Sequence, residues 1–225
     1  MFKRFLLTAG SLLAMTTLSS NAQAGNPADT LYLDLSSGGR VAIELLPDRA
    51  PAHVERIKKL TKEGFYNGIT FHRVIDGFMA QTGDPTGTGT GGSKEADLPA
   101  EFTDYAYKRG TVGMARTADP NSANSQFFIC FTDTGCGFLT GQYTVFGQVT
   151  EGMEFVDKIA KGEPPATPDK IVKAALASDE ASAPSASTQI APAPGLTPSA
   201  TAPAAGEAPT ASTPETVTPK EKAAQ

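Results

Sequence analysis

Phe71-His72-Arg73-Val74-Ile75-Asp76-Gly77-Phe78-Met79-Ala80-Gln81-Thr82-Gly83-Asp84 is the stretch on which the fold turns. It begins as a strand, with Phe71, Arg73 and Ile75 on one face and His72 and Val74 on the other. Asp76-Gly77 bends the chain. A second extended run then places Met79 and Gln81 on a common face. One guanidinium, one amide and one thioether therefore converge on a shared surface, beside a phenylalanine. That set offers neither a nucleophile nor a metal ligand. It suits an apolar group held next to a carbonyl that needs a strong hydrogen-bond donor.

The strands on either side read the same way. Leu31, Leu33 and Leu35 alternate with polar neighbours, as do Val41, Ile43 and Leu45, and Ser36-Ser37-Gly38-Gly39 lies between them. This is a hairpin with one buried face. Pro51 opens a helix in which Val54, Ile57 and Leu60 recur at helical spacing, and Gly64 stops it. His53, in its first turn, reads as a surface side chain. Gly110–Ala115, Ser125–Phe131 and Tyr143–Val149 are further strands, with Gln126 and Phe128 on one face and Phe127 and Phe146 in the core. Thr132 to Gln142 reads as a loop. Met153 to Lys161 reads as a second amphipathic helix, and Ile171 to Leu176 as a closing strand. Many short strands with two helices favour a mainly β fold, a closed antiparallel barrel, over βαβ units.

The ends have a different composition. Lys3 and Arg4, an apolar run from Phe5 to Met15, and Ala22-Gln23-Ala24 form a secretory signal peptide over residues 1–24. The apolar run is too short to span a bilayer. Cleavage after Ala24 removes Lys3 and Arg4 and takes the formal charge from −5 to −7. An acidic chain is a poor match for nucleic acid. Residues 178–225, rich in Ala, Pro, Ser and Thr, are expected to form a disordered tail. The ordered domain is then 28–177. The product is expected to be exported to a periplasm, to have no membrane association after cleavage, and to be a monomer. In an oxidising compartment Cys130 and Cys136 could pair, and Cα spacing decides it. The sequence leans to two separate thiols, Cys130 on a strand and Cys136 on a loop.

Other chemistries fail on the residues. Gly87-Thr88-Gly89-Thr90-Gly91-Gly92 satisfies GxGxxG, but no helix pattern follows it, so it reads as a loop of tight turns lining a groove. Two His and two Cys without ligand spacing give no metal site, and no cofactor is expected. A Ser-His-acid hydrolase lacks the GxSxG elbow, and His72 points away from Arg73. What remains is an apolar pocket of Phe78, Met79, Phe128, Leu139 and Tyr143, rimmed by Arg73 and Gln81. An arginine on an apolar strand face must serve a partner.

FHRVIDGFMAQTGDPTGTGTGG, GTVGMAR, NSQFFIC and FLTGQYTVFGQV, in that order, resemble the cyclophilin-type peptidyl-prolyl cis-trans isomerases over nearly all of residues 31–177. The resemblance implies an eight-stranded antiparallel barrel capped by two helices, with an outer groove for X-Pro segments of polypeptides. By position, Arg73 matches the family's catalytic arginine. Phe78, Met79, Phe128 and Leu139 match its proline pocket. Gln81 and Gln126 match its groove glutamines, Gly89 lies in the loop between them, and Ala115 matches a backbone contact. Arg116 stands where Asn is common, Phe138 where Trp is common and Tyr143 where His is common. The loss of that Trp argues against tight binding of cyclosporin. Tyr143 keeps a hydroxyl that can donate to the substrate carbonyl. The alternative is a non-catalytic module or chaperone that binds proline segments through the same groove.

Overall fold

The computed structural model describes residues 25–182. Along the described residues eight strands and four α-helices follow in the order β1 Thr30–Leu35, β2 Gly39–Leu45, α1 Pro51–Lys62, β3 Arg73–Ile75, β4 Met79–Thr82, β5 Thr111–Met114, β6 Phe127–Cys130, α2 Asp133–Cys136, β7 Val145–Glu151, α3 Met153–Asp157, β8 Ile171–Leu176 and α4 Ala177–Ser182. All strand pairs are antiparallel, in the order β3-β4-β6-β5-β7-β2-β1-β8.

The mainly β reading holds, but the barrel is not laddered shut. β3 and β8 are the end strands, and the residues just ahead of them meet through a single bridge and two backbone hydrogen bonds rather than a ladder. Thr70 bridges Lys170, the Phe71 N–H donates to Asp169 O at 2.8 Å, and the Ile171 N–H donates to Ile69 O at 2.9 Å. The sheet therefore curls nearly round on itself. Strand twist brings the two ends together without giving them a common register.

Strand alternation sorts the side chains into two cores. Leu31, Leu33, Val41, Ile43, Phe127, Ile129 and Phe146 point into the main core, where the Phe127 ring meets Tyr66 and Phe146 edge-on at 5.5 and 5.9 Å. Phe128 and Cys130, one residue out of phase on β6, enter a second cluster with Met79, Tyr107, Cys136, Leu139 and Val145. Phe71 departs from the sequence reading. It lies in the main core with Val74, because regular strand pairing starts only at Arg73.

The helices cover the sheet as amphipathic caps, α1 against β8 and α3 against β2. Val54 and Ile57 of α1 are fully buried. His53 is fully buried too, against expectation. Its Nδ1 is 2.6 Å from Glu101 Oε2, and the same carboxylate accepts the Ala52 and His53 backbone N–H groups. Ala50 offers no side-chain cap, so Glu101 caps α1 from a distant loop. Burial keeps the His53 imidazole below its ordinary pKa. Burial also works against the Glu101 charge, but His53 and the two N–H groups outweigh it and hold that carboxyl low.

Three boundaries move. α3 ends at Asp157, with Ile159 buried beyond it, rather than running to Lys161. The expected loop at Thr132–Gln142 contains α2 and a 3-10 turn over Gly137–Leu139, started by Thr132, whose hydroxyl accepts the Gly135 N–H. That segment is therefore partly helical rather than a plain loop. Order also continues past Ala177 into α4, where Glu180 accepts hydrogen bonds from Arg40 and Lys173. The boundary expected at Ala177 missed this because the ion partners sit on β2 and β8. The expected signal peptide over residues 1–24, and the expected tail from residue 183 onward, lie outside the described residues. Finally, Cys130 and Cys136 are joined in a disulfide with a Cα–Cα distance of 6.1 Å. The α2 turn brings Cys136 back over β6, which a loop reading of that segment could not show.

Candidate active site

Strand register assembles the site. Arg73 on β3 pairs with Gln81 on β4, Gln81 pairs with Phe128 on β6, and Phe128 pairs with Gly113 on β5. Directly opposed residues share a face. The row therefore lays guanidinium, amide, phenyl ring and a bare backbone side by side on the outer surface. The glycine is required. A Cβ at Gly113 would fall 2.0 Å from the Tyr107 hydroxyl and 2.8 Å from the Phe128 ring. In that space Tyr107 stacks on Phe128, with centroids 5.8 Å apart and planes at 19°.

Above this row is a pocket of about 110 Å³ lined by Arg73, Phe78, Met79, Gln81, Ala115, Arg116, Phe128, Leu139 and Tyr143. Every one of these was expected from the sequence. Met79, Phe128 and Leu139 are almost wholly buried and form its floor. Tyr143 stands edge-on to Phe128 at 5.9 Å. The Arg116 guanidinium lies 4.3 Å over the Tyr143 ring and donates to the Gln142 and Thr117 carbonyls. Phe138 does not line the pocket. It is 62% exposed and packs its ring 5.6 Å from Phe78, on the outer side of the wall.

A wider, polar cradle of about 500 Å³ adjoins the pocket and shares Gln81, Ala115 and Arg116 with it. Gly89 and Gln126 belong to this cradle. Gln81 Nε2 donates to Gln126 Oε1 at 2.9 Å, and Gln126 Nε2 donates to the Gly89 and Gly91 carbonyls. The two glutamines thus tie β4 and β6 to the Gly-rich loop. His72 is buried beneath that loop, its ring about 3.5 Å from where a Gly89 Cβ would stand. Burial lowers its pKa, and the Arg73 charge pushes in the same direction.

The sequence reading missed three residues. Asp84 folds the Gly-rich loop around its carboxylate, accepting the N–H groups of Thr86, Thr88, Gly89 and Gly91. An aspartate entering a Gly/Thr-rich run is a recognisable turn signal. Tyr107 backs the pocket from a segment without strand pattern. Glu163 accepts a hydrogen bond from Arg73 Nε at 2.7 Å from a residue ninety positions away. No local pattern announces either of these.

Comparison with known proteins places this geometry. The family described as "Cyclophilin type peptidyl-prolyl cis-trans isomerase/CLD" matches residues 30–176. A probable peptidyl-prolyl cis-trans isomerase of Brucella suis biovar 1 is 51% identical over 195 residues, covering 79% of this chain and 98% of the relative. Peptidyl-prolyl cis-trans isomerase B of Bacillus subtilis is 42% identical over 135 residues, covering 60% of this chain and 92% of its own. Among solved structures, the cyclophilin AquaCyp293 from Hirschia baltica superposes with a TM-score of 0.63 at 30% identity, over 69% of this chain and 76% of that one. A Cryptosporidium parvum cyclophilin, determined in the presence of the dipeptide Ala-Pro, gives 0.60 at 29% identity, over 65% and 98%. The chain belongs to the cyclophilin-type peptidyl-prolyl cis-trans isomerases. Its activity is the cis-trans isomerisation of X-Pro peptide bonds.

Proposed function

We propose that Arg73 drives this isomerisation, and that the enzyme works as an exported monomer on proline-containing segments of folding polypeptides. The observation that carries the catalytic assignment is the position of Arg73, the guanidinium at the rim of a small apolar pocket whose floor is Met79, Phe128 and Leu139. The relative determined with Ala-Pro supports a proline ring as the occupant. The leader pattern of residues 1–24 and the Cys130–Cys136 disulfide support export, because disulfides persist in oxidising compartments.

Rotation about the amide is opposed by C–N resonance, a barrier of ~18–20 kcal/mol. In the twisted state the prolyl nitrogen becomes pyramidal and regains a lone pair. A guanidinium beside that nitrogen and the prolyl carbonyl favours the twisted state over the planar one, which is differential binding without a covalent step. Phe78, Met79, Phe128 and Leu139 hold the ring. Gln81 and Tyr143 offer polar contacts at the pocket edge, and Ala115, Arg116, Gln126 and Gly89 line the path of the neighbouring residues. Phe138 acts through Phe78. Bringing a step of tens of seconds to milliseconds takes about 5–6 kcal/mol. One charged donor supplies roughly 2–4 kcal/mol, by analogy with an oxyanion-hole donor. Positioning supplies the rest.

Arg73→Ala is expected to lower kcat/KM by roughly 10²–10³-fold in a proline-peptide assay, with the circular dichroism of the fold unchanged. Arg73→Lys also loses most activity, because an ammonium lacks the planar fork. A folded Arg73→Ala enzyme with near-normal rates rules the assignment out.

A further inference from the structure

We propose that Glu163 is a positioning residue for the isomerisation, holding the Arg73 guanidinium edge-on to the proline pocket. The proposal rests on Arg73 being the catalytic group. It begins with the backbone. β3 is an end strand of the sheet, and its free edge is filled by one residue, Gly162, which exchanges two hydrogen bonds of 2.8 Å with Val74. In an antiparallel bridge the flanking residues oppose each other, so this bridge sets Glu163 across from Arg73. The return is tight. Gly162 has φ +143°, and a Cβ there would stand 2.7 Å from Pro165 Cα and 2.9 Å from Pro164 O. Glycine alone allows the chain to deliver the carboxylate at this point.

The hydrogen bond formed is directional. Arg73 Nε donates to Glu163 Oε2 at 2.7 Å. Neither terminal nitrogen of Arg73 is engaged by a described residue, so both stay available to substrate. A guanidinium is rigid and planar, so fixing Nε fixes the direction of its two other nitrogens. The two partners are 41% and 50% exposed. Water therefore screens the carboxylate's field at the pocket, and what the contact supplies is orientation rather than charge. Gln81, the cross-strand neighbour of Arg73, does not do this work: among the described residues its amide oxygen accepts nothing from the guanidinium, and its amide nitrogen, a donor, turns to Gln126. Without Glu163 the arginine is a half-exposed side chain on a strand edge, free to leave the pocket.

The test is a set of folded variants assayed for kcat and KM on a proline peptide. Glu163→Ala is expected to lower kcat roughly tenfold, as a misplaced catalytic group does, with KM held within about twofold. Glu163→Gln keeps an acceptor in place and retains most of the rate. In an Arg73→Ala background Glu163→Ala has no further effect. A Glu163→Ala enzyme as fast as, or faster than, the parent overturns the proposal. So does a Glu163→Gln enzyme as slow as Glu163→Ala, or the same loss with and without Arg73. If Arg73→Ala alone keeps a near-normal rate, it is the catalytic assignment of Arg73 that fails, and that arm reads it separately.

Discussion

Asp84 shows how much one buried carboxylate can organise. It is 1% exposed, and its two oxygens gather four backbone N–H groups and the Thr86 hydroxyl. Burial alone pushes its pKa up. The hydrogen bonds from Thr86, Gly91 and Gly89 outweigh that and hold it at about 2, against an ordinary 3.8. A depressed folded pKa stabilises the fold above the unfolded value, and the contribution drains away as pH falls through about 2. The difference corresponds to about 2 kcal/mol. Denaturant unfolding of the wild type is therefore expected to lose about that much between pH 5 and pH 2 through this one group. Asp84→Asn is expected to be weaker by about 2 kcal/mol or more at pH 6, because an amide nitrogen cannot accept, and to lack that part of the acid dependence. An Asp84→Asn protein with wild-type stability at pH 6 rules this out. The residue scale is also where sequence reading works unevenly. Arg73 and Gln81 are legible because a charge and an amide interrupt an apolar alternation. Phe127 and Phe146 are legible as core by the same parity. Tyr107, Glu163 and Glu101 are not, because each owes its role to a partner dozens of residues away or to the missing Cβ of Gly113.

At the scale of elements, β1 and β2 were readable because period-two burial is written directly in Leu31, Leu33, Leu35 and Val41, Ile43, Leu45. The segment after β6 was not, because Thr132–Gln142 carries no periodicity long enough to declare a helix of one turn. Yet that segment supplies a pocket wall. Its cap begins at Thr132, whose hydroxyl also donates to Gly77 O at 2.6 Å, and it delivers Cys136 to Cys130 and Leu139 to the pocket floor. Both cysteines are fully buried within the cluster that holds Met79 and Phe128. The disulfide spans six residues, and in the chain-entropy account a loop that short stabilises by about 2–2.5 kcal/mol. The Cys130→Ala/Cys136→Ala double variant should unfold at a free energy lower by about that amount. Because Leu139 loses an anchor, KM for proline peptides should rise by a few-fold while kcat changes less. The remaining anchors, such as the Thr140 hydroxyl accepting the Tyr107 N–H at 3.1 Å, keep the loss partial. Unchanged unfolding free energy and unchanged KM in the double variant overturn this account.

At the scale of the whole molecule, the near-closed sheet explains why the candidate site sits on its outside. The interior is filled by Tyr66, Phe71, Phe127 and Phe146, leaving no lumen, so the outer face of β3, β4 and β6 is what remains to be shaped into a groove. The free edge of β3 then becomes useful. The single bridge at Gly162 that stands in for a ladder is what sets Glu163 beside Arg73. Architecture of this kind was legible in outline from strand number, but the bridged edge was not, because short bridges leave no mark on composition. The same scale links fold to compartment. A buried disulfide inside the pocket's own cluster requires oxidation during folding, and residues 1–24 carry the pattern of a leader that would deliver the chain to such a place. Expressed with residues 1–24 in a Gram-negative host, the protein is expected in the osmotic-shock fraction, with an intact-mass spectrum that starts at Gly25 and shows no alkylatable thiol. Expressed without residues 2–24, it is expected to stay in the cytosolic fraction with both thiols open to alkylation after denaturation, and to show the lower stability and raised KM of the double alanine variant. Recovery of the full-length chain from Met1 in the cytosol, or equal KM for the oxidised and reduced forms, breaks the connection between export and the shape of the pocket.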